Sequence, residues 1–451
     1  MKKIHLYFGL LCLSLSCILS CTKFLDEKSD KALSLPKSLT DLQALLDAYG
    51  TMNEVYSYAG EEASDDYFLS TKNWQGIANQ DTRNNYIWND AAKLNASWSL
   101  PYKVVFVCNT VLEEIELLDR KNRGQDYQRI KGGALFFRAF ALYEVASLFA
   151  PVYSAVNAEK LGIPVRLATA VEENTSRATV KQTYDQIIAD LKTAAELLPI
   201  TTAYKNRPTK RAAFSLLARI YLAMSDYAGA LDASNKALSY GDDLLDYNTV
   251  DVDAGAPFDL SNQEIIWLAG SYAVSPLLTP SRYGVDTALY VSYAANDLRK
   301  RAFFTKKSDN YYSFKGTYES RKQGYLFRGL AVDELYLIKA ECDIRMGNRV
   351  AGLNSLAILL RNRYEPGTYQ IDLGLSQDKA LHLVLSERRK ELLFRGIRWT
   401  DLKRLNLVES SAKTLVRKLD QEYHLASNDP RYVFLIPEMV ISIAGFPQNP
   451  R

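Results

Sequence analysis

The strongest constraint on this chain is a hydrophobic period of 3.6 residues, repeated in long segments that stop at turn residues. A helix with that period carries one apolar stripe, and the stripe must be buried against another element. Residues 102–118 and 127–149 are two long amphipathic stretches. Residues 180–198 follow, opened by Ser176 or Thr179 as N-cap and closed before Pro199. Residues 211–224 break at Ser225-Asp226 and resume over 227–240, where Gly241 ends the pattern. In this pair Ala218, Tyr221, Ala223, Tyr227, Ala230 and Ala237-Leu238 set small residues where two antiparallel helices approach closely. Residues 332–346, Gly347-Asn348 and residues 350–363 repeat the unit, with Ala340 and Ala351 in the close-contact role. The fold class that follows is mainly α.

Such hairpins follow the logic of tetratricopeptide repeats, where each unit buries its face only against the next. Unrelated helical hairpins are the alternative. The tetratricopeptide-like helices are expected over about residues 102–149, 180–240 and 332–405. Two tracts, residues 51–100 and 241–329, break the period. They hold Trp74, Trp88, Trp98, Trp267 and many tyrosines, with Asp, Asn and Gly between them. That aromatic content argues against disorder, and long loops in a packed domain are usually functional. Both tracts are therefore expected to be loop-rich ligand regions.

The N-terminus speaks to destination. Lys2 and Lys3 precede an apolar run from Ile4 to Leu19, which has the length and flanking charge of a secretory leader. The run ends in Ile18-Leu19-Ser20-Cys21, the pattern of a bacterial lipoprotein cleavage box. Residues 1–20 are expected to be a lipoprotein signal peptide, Cys21 the acylated residue, residues 21–36 a polar tether and residues 37–451 the folded domain. Two or three acyl chains hold a protein on a bilayer where one would not. No second apolar stretch reads as long enough to span a membrane.

Composition excludes several classes. The formal net charge is +3, and removal of Lys2 and Lys3 with the leader leaves +1, so no basic face for nucleic acid is expected. Cys108 and Cys342 lie in apolar helical patterns and cannot make a disulfide framework, so stability must come from a core. The sequence has no G-x-S-x-G, Walker loop, H-E-x-x-H or C-x-x-C. Asp251-Val252-Asp253-Ala254-Gly255 is not an EF-hand, since Ala256 and Asn262 stand where glycine and glutamate are required. No catalytic residue, metal or cofactor is expected.

Sugar rings stack their C–H faces on Trp or Tyr, and their hydroxyls pair with Asp, Asn and Arg. Trp74, Tyr86 and Trp88, with Asp81 and Arg83 among them, supply that mixture in the first tract. Tyr283, Tyr290 and Tyr312, together with Tyr311 and Tyr318, form a second candidate set. The competing reading is that these aromatics close a small core under a loop. Trp98 and Tyr102 read as packing residues. Glu387, Glu391, Arg395 and Arg398 fall on one helical face in an order that suits intrahelical pairing. They read as an ion network tying this helix to its neighbours rather than as a catalytic carboxylate pair.

The stretch Leu385-Ser386-Glu387-Arg388-Arg389-Lys390-Glu391-Leu392-Leu393-Phe394-Arg395-Gly396-Ile397-Arg398-Trp399-Thr400-Asp401-Leu402 resembles the signature of SusD/RagB nutrient-uptake lipoproteins of the outer membrane. Leu435-Ile436-Pro437-Glu438-Met439 with Gln448-Asn449-Pro450 resembles the family's C-terminal end. Trp98 to Tyr102 with Asn109, Ala134 to Ala139 including Arg138, and Tyr184 to Leu191 including Asp190 match its landmarks in order. The resemblance implies a SusD-like fold and a surface-exposed, lipid-anchored protein of the cell outer membrane. It further implies a lid over a SusC-like TonB-dependent barrel that hands on oligosaccharides, or in some members peptides. A lipid-anchored glycosidase and a tetratricopeptide-like scaffold without ligand are the competing classes.

Overall fold

The computed structural model describes residues 36–118, 123–170, 176–307, 311–318 and 324–451. The leader, Cys21 and nearly all of the tether lie outside the described residues. Ten helices of eight or more residues are found among those described: α1 Leu39–Leu46, α2 Asn95–Leu118, α3 Gln125–Phe149, α4 Val180–Leu197, α5 Lys210–Ala223, α6 Tyr227–Ser239, α7 Val332–Arg345, α8 Arg349–Arg361, α9 Gln377–Glu391 and α10 Arg398–Leu405. Helices α2 to α8 fall on the stretches of 3.6-residue period, α9 and α10 lie within the expected range 332–405, and α1 lies outside those stretches. Helix α4 is opened by a full capping box, in which Thr179 Oγ1 accepts from Gln182 N and Gln182 Oε1 accepts from Thr179 N. Helix α2 begins earlier than the period suggests, and Pro101 sits inside it.

Helices α2/α3, α3/α4, α5/α6 and α7/α8 pack as neighbouring pairs, and α6 packs on α7, so the hairpins stack in series. The hairpin α7/α8 closes more tightly than alanine permits. A Cβ on Gly352 would come within 2.6 Å of the Ala340 carbonyl oxygen and of Ile344 Cγ1. Gly352, not Ala351, therefore makes the close approach to Ala340; Ala351 is exposed.

Helix α3 is the centre of the helical layer. From Gly132 to Phe149 every residue is buried. By length and hydropathy alone this helix could cross a bilayer, which corrects the expectation that no second stretch qualifies. The physical reason is burial on all sides, which makes a helix apolar all round without any membrane. Its polar groups are satisfied internally. Arg138 donates to both Asp190 oxygens at 2.7 and 2.8 Å and to Asn109 Oδ1 at 3.0 Å, joining α2, α3 and α4. Trp98 packs edge-on to Phe149, and Tyr102 donates to the Pro164 carbonyl, as packing residues do.

The charged face expected on a single helix is split between elements. Helix α9 ends at Glu391, and Arg398 opens α10. Glu387 and Glu391 accept from Arg299, Glu391 and Glu264 accept from Arg363, and Arg395 donates to Asp333. Intrahelical pairing is thus corrected, because the turn at residues 392–397 carries both arginines away from α9. The network does tie α9 to its neighbours.

Candidate functional site

The two irregular tracts close a second hydrophobic core beside the helical one, built around Tyr67, Tyr86, Tyr247, Tyr283, Phe303 and Phe394. Short strands β1 Tyr67–Leu69 and β2 Tyr283–Val285 pair antiparallel across the two tracts, and β3 Phe304–Lys306 pairs with β4 Tyr312–Phe314. A C-terminal hairpin, β5 Leu415–Lys418 with β6 Glu422–Leu425, reaches into the same region. The tracts are therefore folded structures with short helices such as Thr71–Gln75, Gln80–Tyr86 and Thr287–Ser292.

Arg417 of β5 pins the first tract. Its guanidinium donates to the carbonyl oxygens of Tyr67 at 2.9 Å, Tyr86 at 3.1 Å, Glu62 at 3.2 Å and Ser64. It lies 4.1 Å from the Tyr86 ring centroid and 5.1 Å from that of Trp88. Trp88 adopts a left-handed backbone, φ 56°, and its Nε1 donates to the Ala63 carbonyl.

This arrangement corrects three of the expected ligand contacts. Tyr86, Trp88 and Tyr283 are only 1%, 4% and 3% exposed. Arg417 occupies the rings of the first two, and Tyr67 and Phe394 pack on Tyr283, so none can offer a face to a sugar. Their polar ends brace the backbone instead: Tyr86 Oη accepts from Leu69 N, and Tyr283 Oη accepts from Phe314 N. Tyr318 is likewise buried and donates to Glu264. The reading that competed with binding, a satellite core under loops, holds for these four.

The remaining candidates stay near the surface. Trp74 is half-buried, donates Nε1 to the Arg83 carbonyl at 3.1 Å, and tilts against Tyr423 of β6 at 6.4 Å. Arg83 in turn donates to the Ile77 carbonyl, and Asp81 Oδ1 accepts from Lys93 N. Tyr290 and Tyr312 stack face to face, 3.7 Å apart at 15°. A third pair, Phe68 and Tyr311, meets edge to face at 5.7 Å, with Phe68 37% exposed. That pair closes over Gly284, where a Cβ would approach Phe68 Cζ to 2.6 Å and Tyr311 Cδ2 to 2.9 Å. Only a residue without a side chain lets both rings lie down there.

Three aromatic pairs thus stand on the outer side of the second core. Phe68 and Tyr423 carry no signal in the sequence analysis. A three-residue strand is too short to show period 2 around Phe68, and Tyr423 meets Trp74 only because a distant hairpin returns. A pocket of apolar character also lies between α2 and the C-terminal segment, about 320 Å³, lined by Trp98, Tyr102, Phe106, Val440 and Phe446 among others.

Beneath the aromatics, two neighbouring carboxyls are fully buried. Glu62 accepts from Ser275 Oγ at 2.6 Å and Asn85 Nδ2 at 2.8 Å. Burial raises it from 4.5 to about 7, against those hydrogen bonds. Burial, with Asp66 nearby, also raises Glu61. A folded-state value above the unfolded one means that the stability contribution is complete below pH 4.5 and lost as pH rises through 7. The loss amounts to ~3 kcal/mol for Glu62. Glu62→Gln, which keeps shape and neutrality, is expected to lose little Tm at pH 4 to 5 relative to wild type and to gain on it steadily by pH 8. Parallel Tm curves for the two proteins over that range would refute the assignment.

Comparison with known proteins accords with the fold. A family profile described as "Starch-binding associating with outer membrane" (SusD-like) matches residues 23–222, and the SusD family profile matches residues 299–433. SusD-like protein P2 of Formosa agariphila is 24% identical over 379 residues, covering 70% of this chain and 73% of that protein. The crystal structure of a SusD superfamily protein from Bacteroides thetaiotaomicron superposes with TM-score 0.76 at 20% identity, covering 92% of this chain and 100% of that one. A SusD-like carbohydrate binding protein from Bacteroides vulgatus gives 0.70 at 21% identity, covering 91% and 97%.

Proposed function

Because the chain belongs to the SusD/RagB family, we propose that it is a cell-surface glycan-binding lipoprotein which caps a SusC-like TonB-dependent transporter and delivers oligosaccharides for import. The observation that carries the binding reading is the set of three outward aromatic pairs on a braced core: Trp74–Tyr423, Phe68–Tyr311 and Tyr290–Tyr312. Rigid rings offer apolar area to sugar C–H faces at low entropic cost, because their supports are already fixed by buried hydrogen bonds. Acylation at Cys21 would hold the domain at the outer membrane beside its transporter.

Binding without catalysis is part of the proposal. Support comes from Glu387 and Glu391, two carboxylates one helical turn apart, since both are clamped by Arg299 in the interior. Glu61 and Glu62 are equally closed off from solvent.

Calorimetric titration with glycan and peptide pools tests the reading. Trp74→Ala and Tyr312→Ala are each expected to weaken oligosaccharide binding by about 1–2 kcal/mol, roughly tenfold in Kd, with Tm nearly unchanged. Recovery of a TonB-dependent barrel with the detergent-solubilised protein is expected alongside. Peptide binding without glycan binding, or a native complex lacking any barrel, would overturn the corresponding half of the proposal.

A further inference from the structure

The Tyr290–Tyr312 stack differs from the other two aromatic pairs in the charge around it. Lys300 Nζ lies 5.0 Å from the Tyr290 ring centroid and is held there by donating to the Tyr293 carbonyl at 2.7 Å. That contact uses one of its three N–H groups. Lys306 is exposed and sits directly opposite Tyr312 in the β3–β4 register, so both side chains leave the same face of the hairpin.

Three carboxylates of this region are paired with arginines. Asp253 is paired with Arg301, Asp297 with Arg299 at 2.7 Å, and Asp286 with Arg389 at 3.0 Å. Among the described residues no carboxylate pairs with Lys300 or Lys306. Among the described residues, two ammonium groups therefore border a stacked aromatic face with no carboxylate paired to either.

We propose that this pair is the anion-reading part of the glycan surface, so that the chain prefers acidic oligosaccharides, carrying uronate carboxylates or sulfate esters, over neutral ones. The proposal rests on the glycan-binding reading above. A sugar ring stacked on the tyrosines would place an equatorial carboxylate or sulfate within reach of the ammonium groups. A neutral ring would gain the stacking and leave both lysines hydrated.

The test is calorimetric titration of the full chain with oligogalacturonides, their methyl esters, sulfated carrageenan oligosaccharides, and neutral xylo- and malto-oligosaccharides. Galacturonide and carrageenan arms separate carboxylate from sulfate, and methyl esters remove charge while keeping the backbone. At least one anionic class is expected to bind more tightly than the neutral sugars. A Lys300→Gln/Lys306→Gln double variant is expected to lose about tenfold of that affinity, as is the wild type in high salt. The exposed single variant Lys306→Gln keeps the test meaningful if the double variant folds poorly. Neutral glycans binding as well as both anionic classes, with Tyr312→Ala harmful and the lysine variants silent, would overturn the preference and leave the glycan reading intact. Binding of no glycan at all would overturn both.

Discussion

Glu391→Ala is expected to lower the unfolding free energy by roughly 3–5 kcal/mol. Glu391 accepts from Arg363 Nε at 2.7 Å and from Arg299 Nη1 at 2.9 Å, and all three side chains have no exposure to solvent. Its removal leaves two buried guanidinium groups short of a shared counter-charge, in a place where water cannot substitute. The remaining partners, Asp297, Glu387 and Glu264, are held in fixed positions by their own bonds. Urea denaturation monitored by circular dichroism reads the effect as a fall in midpoint at unchanged slope. Glu391→Gln should cost less, because one acceptor survives. A loss below about 1 kcal/mol for Glu391→Ala would mean that the network contributes little once its desolvation cost is met.

Arg417→Ala is expected to cost a comparable amount, about 3–5 kcal/mol, but in a different place. Four backbone carbonyls of the first tract converge on this one guanidinium, and removing it strands them together in a buried site. The rings of Tyr86 and Trp88 lose the cation between them. The helical core around α3 contains none of these contacts. Hydrogen exchange should therefore show residues 59–88 losing protection while α3 and α5 keep theirs, and glycan binding should fail before the helices melt. Arg417→Lys should not rescue it, since a single ammonium cannot span four carbonyls as a planar fork does. Uniform loss of protection across the chain would contradict a separately braced loop core.

The helices were legible because their signal is local. A 3.6-residue period, Thr179 with Gln182, and the breaks at Ser225-Asp226 and Gly347-Asn348 each specify structure within a few residues. The SusD/RagB landmarks were legible too, and their convergence in space explains them: Asn109, Arg138 and Asp190 come from three segments to satisfy one buried guanidinium. Helix α3 was legible as a helix but not as one buried on every side, since an all-apolar helix looks alike in a core and in a bilayer.

The binding surface was legible only as a region. Trp74, Tyr290 and Tyr312 reach the surface, whereas Tyr86, Trp88 and Tyr283 brace it from beneath, although all six are aromatic residues in irregular tracts. Which of them is exposed depends on Arg417, Phe394 and Tyr423, residues more than a hundred positions away from most of their partners. The fate of Glu387 and Glu391 was decided in the same way, by Arg299 and Arg363 arriving from other elements. Sequence by itself determined the elements that hydrophobic period and capping can specify, along with the family. Tertiary structure alone decided which aromatics face solvent and which charges meet, because burial is set by long-range neighbours and no local pattern encodes them.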